Sequence, residues 1–237
     1  MNRQESRPLL EICNLTVKYA HGPTVLQDAQ LRVSRGEAVG IFGVSGCGKT
    51  TLARAIPLLL PAGSSITGSI RFDHQEVLQM SVKSLRALRG ARIASLFQEP
   101  SLSLSPHLRI GSQIGEVLAA HSGLPAQARR TATLDALKPL FGTESERIAR
   151  AYAHELSGGQ RQRAAIARAL CCEPDLLIAD EPAASLDSIG QRELFALLAS
   201  YRERTGMSMI VISHNRRALA RNMGRMLELR DGKLEAA

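Results

Sequence analysis

Apolar and polar positions change rhythm several times along the chain, and each change marks an element. Leu9 to Val17 and Val25 to Val33 alternate in part, and His21-Gly22-Pro23 reads as the turn between two strands. Ala38 to Phe42 is a short continuous apolar run that ends at Gly43. Such a run suits a strand covered on both faces. From Gly48 the spacing becomes helical, up to the Pro57 and Pro61 region. Ser69 to Phe72 and Ile93 to Phe97 are further short strands.

Alanine, leucine and charged residues dominate from about Pro106 to His154, which predicts helices over Ile114 to Ala120, Ala126 to Leu140 and Glu144 to Ala153. A helix then runs from Gly159 to about Cys172, with Pro174 beyond its end. Leu176 to Ala179 is again a buried strand. Gln191 to Glu203, Met209 to Ile212 and Arg217 to Met223 continue as helix, strand and helix. Strands alternating with helices imply an α/β fold with a mostly parallel sheet covered on both sides. No internal repeat is visible.

The bulk properties narrow the function. With 237 residues and 44% apolar side chains, the chain is long enough for one well-buried α/β domain, or for one domain with a small inserted lobe. Its longest near-continuous apolar stretch, Ala55 to Ala62, is interrupted by Pro57 and Pro61, far short of the roughly 20 residues of a membrane span. Met1 to Pro8 is polar and carries no apolar signal core, so nothing suggests export. Cys13, Cys47, Cys171 and Cys172 show no CxxC spacing, which argues against a zinc site or disulfide framework. The net charge of +8 would allow nucleic acid, anionic lipid or phosphorylated ligands. Aromatic residues at 3% and the lack of tryptophan argue against a base-stacking platform, and the arginines are spread along the chain. Solvated helix faces plus one phosphate site account for the charge, and no nucleic-acid partner is expected.

That phosphate site is explicit. Gly43-Val44-Ser45-Gly46-Cys47-Gly48-Lys49-Thr50, followed by Thr51, matches GxxxxGK[ST] at every fixed position, after a predicted strand and opening a helix. Successive backbone N–H groups and the helix N-terminus would cradle the phosphates of ATP. Lys49 would reach the β- and γ-phosphates and the Thr50 hydroxyl would ligate Mg2+. Cys47 reads as a small filler residue within the loop. A second apolar strand, Leu176 to Ala179, delivers Asp180 and Glu181 at its C-terminal end, where ligands bind in open α/β sheets. Hydrolysis needs one carboxylate on the metal and one on water; Asp180 fits the first role and Glu181 the general base.

Leu156-Ser157-Gly158-Gly159-Gln160, continuing Arg161-Gln162-Arg163, resembles the signature of the ATP-binding subunits of ABC transporters. The resemblance covers about Leu9 to Lys233. It implies an ABC ATPase fold over 1–237: a P-loop core, an N-terminal antiparallel β-subdomain and an inserted helical subdomain at about 100–157. It also implies further roles. Tyr19 resembles the aromatic that stacks on adenine, and Gln98 in Phe97-Gln98-Glu99-Pro100 resembles the glutamine that contacts Mg2+ and the attacking water. Ser185-Leu186-Asp187 resembles the D-loop, and His214 the switch histidine on the γ-phosphate. In such ATPases two subunits stack head to tail, and each ATP lies between one phosphate loop and the partner's counterpart of Ser157, Gly158, Gly159 and Gln160.

Leu88-Arg89-Gly90-Ala91-Arg92-Ile93, Phe97 to Pro100 and Ser103-Leu104-Ser105-Pro106 resemble the peptide and nickel importer group. Ser105, where that group usually has asparagine, and Ala183-Ala184-Ser185 depart from its pattern. The resemblance implies a second, usually different ATPase subunit, two membrane permeases, an extracytoplasmic binding protein acting indirectly, and a peripheral position on the cytoplasmic face of the membrane. Cargo stays open between peptide and nickel or another metal chelate. The competing expectation is a soluble ABC-type ATPase of a cytoplasmic enzyme complex, such as the phosphonate carbon–phosphorus lyase machinery.

Overall fold

The computed structural model describes residues 8–97, 99–184 and 186–237. Two sheets form its frame. The first contains β1 (Pro8–Lys18), β2 (Thr24–Ser34), β4 (Ser65–Phe72) and the two-residue β5 (Gln75–Glu76), all antiparallel, in the order β2-β1-β4-β5. The second contains β3 (Ala38–Phe42), β6 (Ile93–Leu96), β7 (Leu176–Asp180), β8 (Ser208–Ile212), β9 (Arg225–Arg230) and β10 (Lys233–Ala236). Its order is β10-β9-β3-β8-β7-β6, parallel throughout except for β10 at the edge.

The central strands β3, β7 and β8 are buried at every position, as their unbroken apolar runs require. Period two divides their side chains between two cores. Val39, Ile41, Leu176, Ile178, Ile210 and Ile212 face a core shared with α1 (Lys49–Ala55) and the antiparallel sheet. Ala38, Phe42, Leu177, Ala179, Met209 and Val211 face the other, filled by α6 (Gly158–Leu170), α7 (Ser188–Thr205) and α8 (Arg216–Asn222). A third core, around Ile110, Ile114, Leu137 and Ile148, joins α3 (Ile110–His121), α4 (Ala126–Phe141) and α5 (Ser145–Arg150) to Ala164, Ala165 and Ala167 of α6. α6 thus belongs to two cores and links the helical segment to the sheet.

Several boundaries differ from the sequence reading. The helix after Gly48 stops at Ala55, and Leu58 just beyond it takes a left-handed φ of 54° that an α-helix cannot accommodate. The expected helix over Glu144 to Ala153 ends at Arg150, because Ala151 is extended and its carbonyl accepts from the Ile110 N–H at 2.9 Å. The helix ending at about Cys172 ends at Leu170. The strand expected from Ser69 begins at Ser65. α2 (Val82–Leu88) and β9 and β10 had no counterpart in the sequence reading. No helix among the described residues is long and apolar enough to cross a membrane.

A charge cluster links the two sheets at one end. Arg92 donates to Asp73 and to Asp175, each at 2.7 Å, and Arg35 donates to Asp73 at 2.6 Å. Arg92 holds the Asp73 carboxyl below its ordinary range, and the Arg92 guanidinium also lies 5.1 Å from the centre of the Phe72 ring. Phe72 is fully buried beneath it. Truncating Phe72 to alanine removes the ring and leaves a cavity, at a cost of about 3–5 kcal/mol. The expected outcome is a lower urea midpoint with an unchanged slope; an unshifted midpoint would mean that the sheet-to-sheet core does not limit stability.

Candidate functional site: a phosphate loop facing two carboxylates

The loop between β3 and α1 has a shape that its glycines permit. A Cβ on Gly43 would lie 2.4 Å from the Leu229 carbonyl oxygen and 2.8 Å from the Cys47 sulfur, so no larger residue fits there. Gly48, the N-cap of α1, has φ 107°, outside the range of ordinary L-residues. Val44, Ser45 and Gly46 are exposed along the outer rim. Lys49 folds back over the loop, and its Nζ donates to the Gly43 and Val44 carbonyls at 2.8 Å each, with the Cys47 sulfur 3.8 Å away. The lysine charge therefore sits over the cradle itself.

Thr50 and Thr51 point in different directions. The Thr50 hydroxyl hydrogen-bonds the Asp180 carboxylate. Thr51 is buried, and its hydroxyl lies 2.8 Å from the Tyr19 hydroxyl. Tyr19 follows directly after β1, so this contact ties the end of the antiparallel sheet to the first turn of α1.

Asp180 is the last residue of β7 and is 2% exposed. Burial raises its carboxyl pKa; the Thr50 hydrogen bond, Lys49 and Arg54 oppose this, while the neighbouring Glu181 charge adds to it. A buried carboxylate beside a second carboxylate and a threonine hydroxyl is an oxygen donor set that suits a divalent cation, whose charge would hold the acid ionised. Glu181 leaves the strand with φ 52°, a left-handed conformation rare for glutamate. Its N–H donates to the Ile212 carbonyl at 2.9 Å, continuing the β7–β8 ladder past the end of β7. Three donors then fix its carboxylate. The Ser213 hydroxyl donates to one oxygen at 3.2 Å and the His214 N–H to the other at 2.8 Å. His214 Nδ1 lies 3.0 Å from both oxygens. The His214 ring is itself 72% exposed at the mouth of the site.

The fold thus brings Lys49, Thr50, Asp180, Glu181 and His214 to the C-terminal ends of three adjacent parallel strands. Ser157 to Gln160 lie apart from this group. Ser157 caps α6, and its hydroxyl accepts from the Gln160 N–H at 3.2 Å while Gln160 Oε1 accepts from the Ser157 N–H at 3.1 Å. A Cβ on Gly158 or Gly159 would meet nothing within 4 Å among the described residues. No hydrogen bond among those residues joins this turn to the phosphate loop. Gln98 and Ser185 lie outside the described residues. Leu186 is half-buried, and Asp187 caps α7 by accepting from the Gly190 N–H at 2.7 Å.

Three polar residues to which the sequence reading gave no role organise this region. Ser213 holds Glu181 as described. Gln191 donates to the Ala183 and Leu186 carbonyls, and its own Oε1 accepts from Asn215, the cap of α8, at 3.4 Å. Gln162 is buried and donates to the Pro182 carbonyl at 2.6 Å. Adjacency to His214 was the single sequence signal for Ser213. Gln162 was visible only within the string that follows Gln160 and Gln191 only as the start of a helix; neither pointed to its partner, which is distant in the chain.

Comparison with known proteins gives the family and the fold. The profile of the ABC transporter family matches residues 26–184. The chain is 38% identical to the peptidoglycan transport ATP-binding protein YejF of Agrobacterium fabrum, over 99% of this chain and 44% of that protein. It is 36% identical to the dipeptide transport ATP-binding protein DppD of Bacillus subtilis, over 95% of this chain and 69% of that protein. It therefore spans less than half of the first relative's length. Among solved structures, a dimeric post-hydrolysis state of the ATP-binding cassette MJ0796 bound to ADP and Pi superimposes with a TM-score of 0.81 at 31% identity, covering 95% of this chain and 96% of that one. The fold is that of ABC ATPase cassettes, and the chain belongs to the ABC transporter family.

Proposed function

We propose that this chain is the ATP-binding and ATP-hydrolysing subunit of an importer that takes up peptides. The observation that carries the reading is the Glu181 carboxylate, held by Ser213 and His214 beside the buried Asp180 and across from the phosphate loop. The names of similar proteins, dipeptide and oligopeptide transport ATP-binding proteins, favour peptide over the nickel and metal-chelate cargo that the sequence left open. Residues 1–237 form one cassette in this reading, with the helical subdomain at about 100–157 inserted in the core.

The chemistry follows from the donors. The N–H groups from Gly43 to Thr51 and the Lys49 ammonium bind the phosphates, Tyr19 supports adenine, and Thr50, Asp180 and Gln98 would hold Mg2+. The metal, when bound, neutralises charge that accumulates on the phosphate oxygens. Glu181 accepts the proton of the attacking water. In this structure Glu181 and His214 satisfy one another, so an incoming γ-phosphate competes for the exposed His214 ring and frees one face of the carboxylate. Ser157 to Gln160 serve a nucleotide held by a second cassette. Two glycines facing open space are what a turn needs if its ligand arrives from outside the chain. The dimeric state of the similar cassette supports that arrangement. The second cassette is a different chain in this reading, with a homodimer as the other form. Two permeases, and a binding protein acting through them, complete the assembly on the cytoplasmic face of the membrane.

Glu181→Gln keeps the shape of the side chain and removes its basicity. Turnover is expected to fall by about 10²- to 10⁴-fold while ATP still binds; turnover at the native rate would remove Glu181 as the base. Lys49→Ala removes charge-assisted bonds worth about 1.5–3 kcal/mol each, so nucleotide affinity is expected to drop at least about tenfold. An unchanged dissociation constant by calorimetry would contradict the phosphate-loop assignment. Co-expression with neighbouring genes tests the importer. Recovery in a membrane fraction with two permeases is expected; recovery with soluble enzymes alone overturns it.

A further inference from the structure

A closed circuit of hydrogen bonds begins and ends on Glu181. The Glu181 carbonyl accepts from the Ala184 N–H at 3.3 Å and the Ala183 carbonyl from the Leu186 N–H at 3.2 Å, so the chain curls back directly after Glu181. Gln191, half-buried near the start of α7, reaches this curl. Its Nε2 donates to the Leu186 carbonyl at 3.2 Å and to the Ala183 carbonyl at 3.4 Å. On its other side Gln191 Oε1 accepts from Asn215 Nδ2 at 3.4 Å. The Asn215 N–H donates to the Ser213 hydroxyl oxygen at 3.1 Å, and the Ser213 hydroxyl donates to the Glu181 carboxylate at 3.2 Å. No hydrogen bond among the described residues joins the Gln191 side chain to the phosphate loop or to Asp180.

We propose that Gln191 is a positioning residue for ATP hydrolysis, a role that rests on Glu181 as the base. Its amide ties the backbone that carries Glu181 to the 213–215 turn that orients the Glu181 carboxylate. Three observations carry the proposal. Both ends of the amide are used, and they reach different elements. A side chain that only closed the start of α7 would be satisfied by the Leu186 carbonyl, whereas the Asn215 contact crosses to the cap of α8. Asn215 spends its Oδ1 on the Ala218 N–H at 3.1 Å, which leaves its amide group for Gln191. Glu181 itself sits at φ 52°, a conformation that glutamate keeps only where its surroundings impose it.

The circuit acts on aim. A general base works only within hydrogen-bond reach of the proton it takes, about 2.6–3.2 Å. Where the Glu181 carboxylate points depends on its backbone and on the donors of the 213–215 turn, and Gln191 holds the two in one relation. The Ser213 N–H is bonded to the Ile41 carbonyl at 3.1 Å, so the turn is anchored to the sheet and serves as the fixed post. When the His214 ring turns to a γ-phosphate, Ser213 and the His214 N–H remain to aim the carboxylate, and the tie through Gln191 matters most at that moment. Its effect therefore falls on the chemical step and not on nucleotide binding.

The test measures steady-state ATP turnover of the full chain in the assembly that hydrolyses ATP. Gln191→Glu is the isosteric probe. It keeps an oxygen for Asn215, loses both donors and sets an oxygen against the Ala183 and Leu186 carbonyls. Near the N-terminus of α7 a carboxylate is not destabilising, so the fold is retained. The kcat is expected to fall about 10- to 100-fold with KM for ATP unchanged, and Gln191→Ala should do the same. In a Glu181→Gln background neither change should lower the residual rate further, because the base that they misaim is already gone. Native kcat in Gln191→Glu, a change in KM that accounts for the loss, or an equal further fall in the Glu181→Gln background overturns the proposal. If Gln191→Ala fails to fold, Gln191→Glu alone gives every readout. Glu181→Gln at the native rate would remove the base itself; where Glu181→Gln is slow, failure of the Gln191 prediction counts against this role of Gln191 alone.

Discussion

Two backbone hydrogen bonds hold the site in register. The Glu181 N–H reaches the Ile212 carbonyl and the Ser213 N–H reaches the Ile41 carbonyl, so the ladders of β7, β8 and β3 continue past the ends of the strands. These three strands are parallel and pair Asp180 with Ile212 and Ile41 with Ile212. Their C-terminal ends therefore finish at one level. A phosphate loop, a pair of carboxylates and a histidine, far apart in sequence, emerge side by side for that reason alone. A slip of one residue in the β7–β8 pairing would turn Asp180 to the opposite face, away from Thr50 and Lys49.

Much of this frame was legible in the residues. Strands buried on both faces must be apolar at every position, so Ala38 to Phe42, Leu176 to Ala179 and Met209 to Ile212 stood out with nearly their final bounds. The elements that escaped lack that signal. β9 reads Arg-Met-Leu-Glu-Leu-Arg and has charged residues at both ends. α2 is seven residues long and leaves Val82 exposed, so its amphipathic pattern is too short to register. The end of α1 depends on Leu58 adopting a positive φ, which nothing in leucine announces.

The site divides along the same line. Residues bound to a backbone shape or a spacing, from Gly43 through Thr51 and at Asp180 and Glu181, could be found by pattern. Ser213, Gln162 and Gln191 could not, because each acts through a partner reached only after folding. Tyr19 lies between these cases: its position upstream of the loop was readable, while its hydroxyl contact with Thr51 depends on how the antiparallel sheet packs on α1.

The buried bond from Gln162 to the Pro182 carbonyl has a mechanical meaning. Gln162 lies little more than one turn along α6 from Ser157, and Pro182 follows Glu181 directly. A helix is stiff over such a distance, so its first turn and the catalytic turn move as one lever with Gln162 as the pin. In the proposed pair of cassettes, that pin would carry a partner's pull on Ser157 to the turn that holds Glu181.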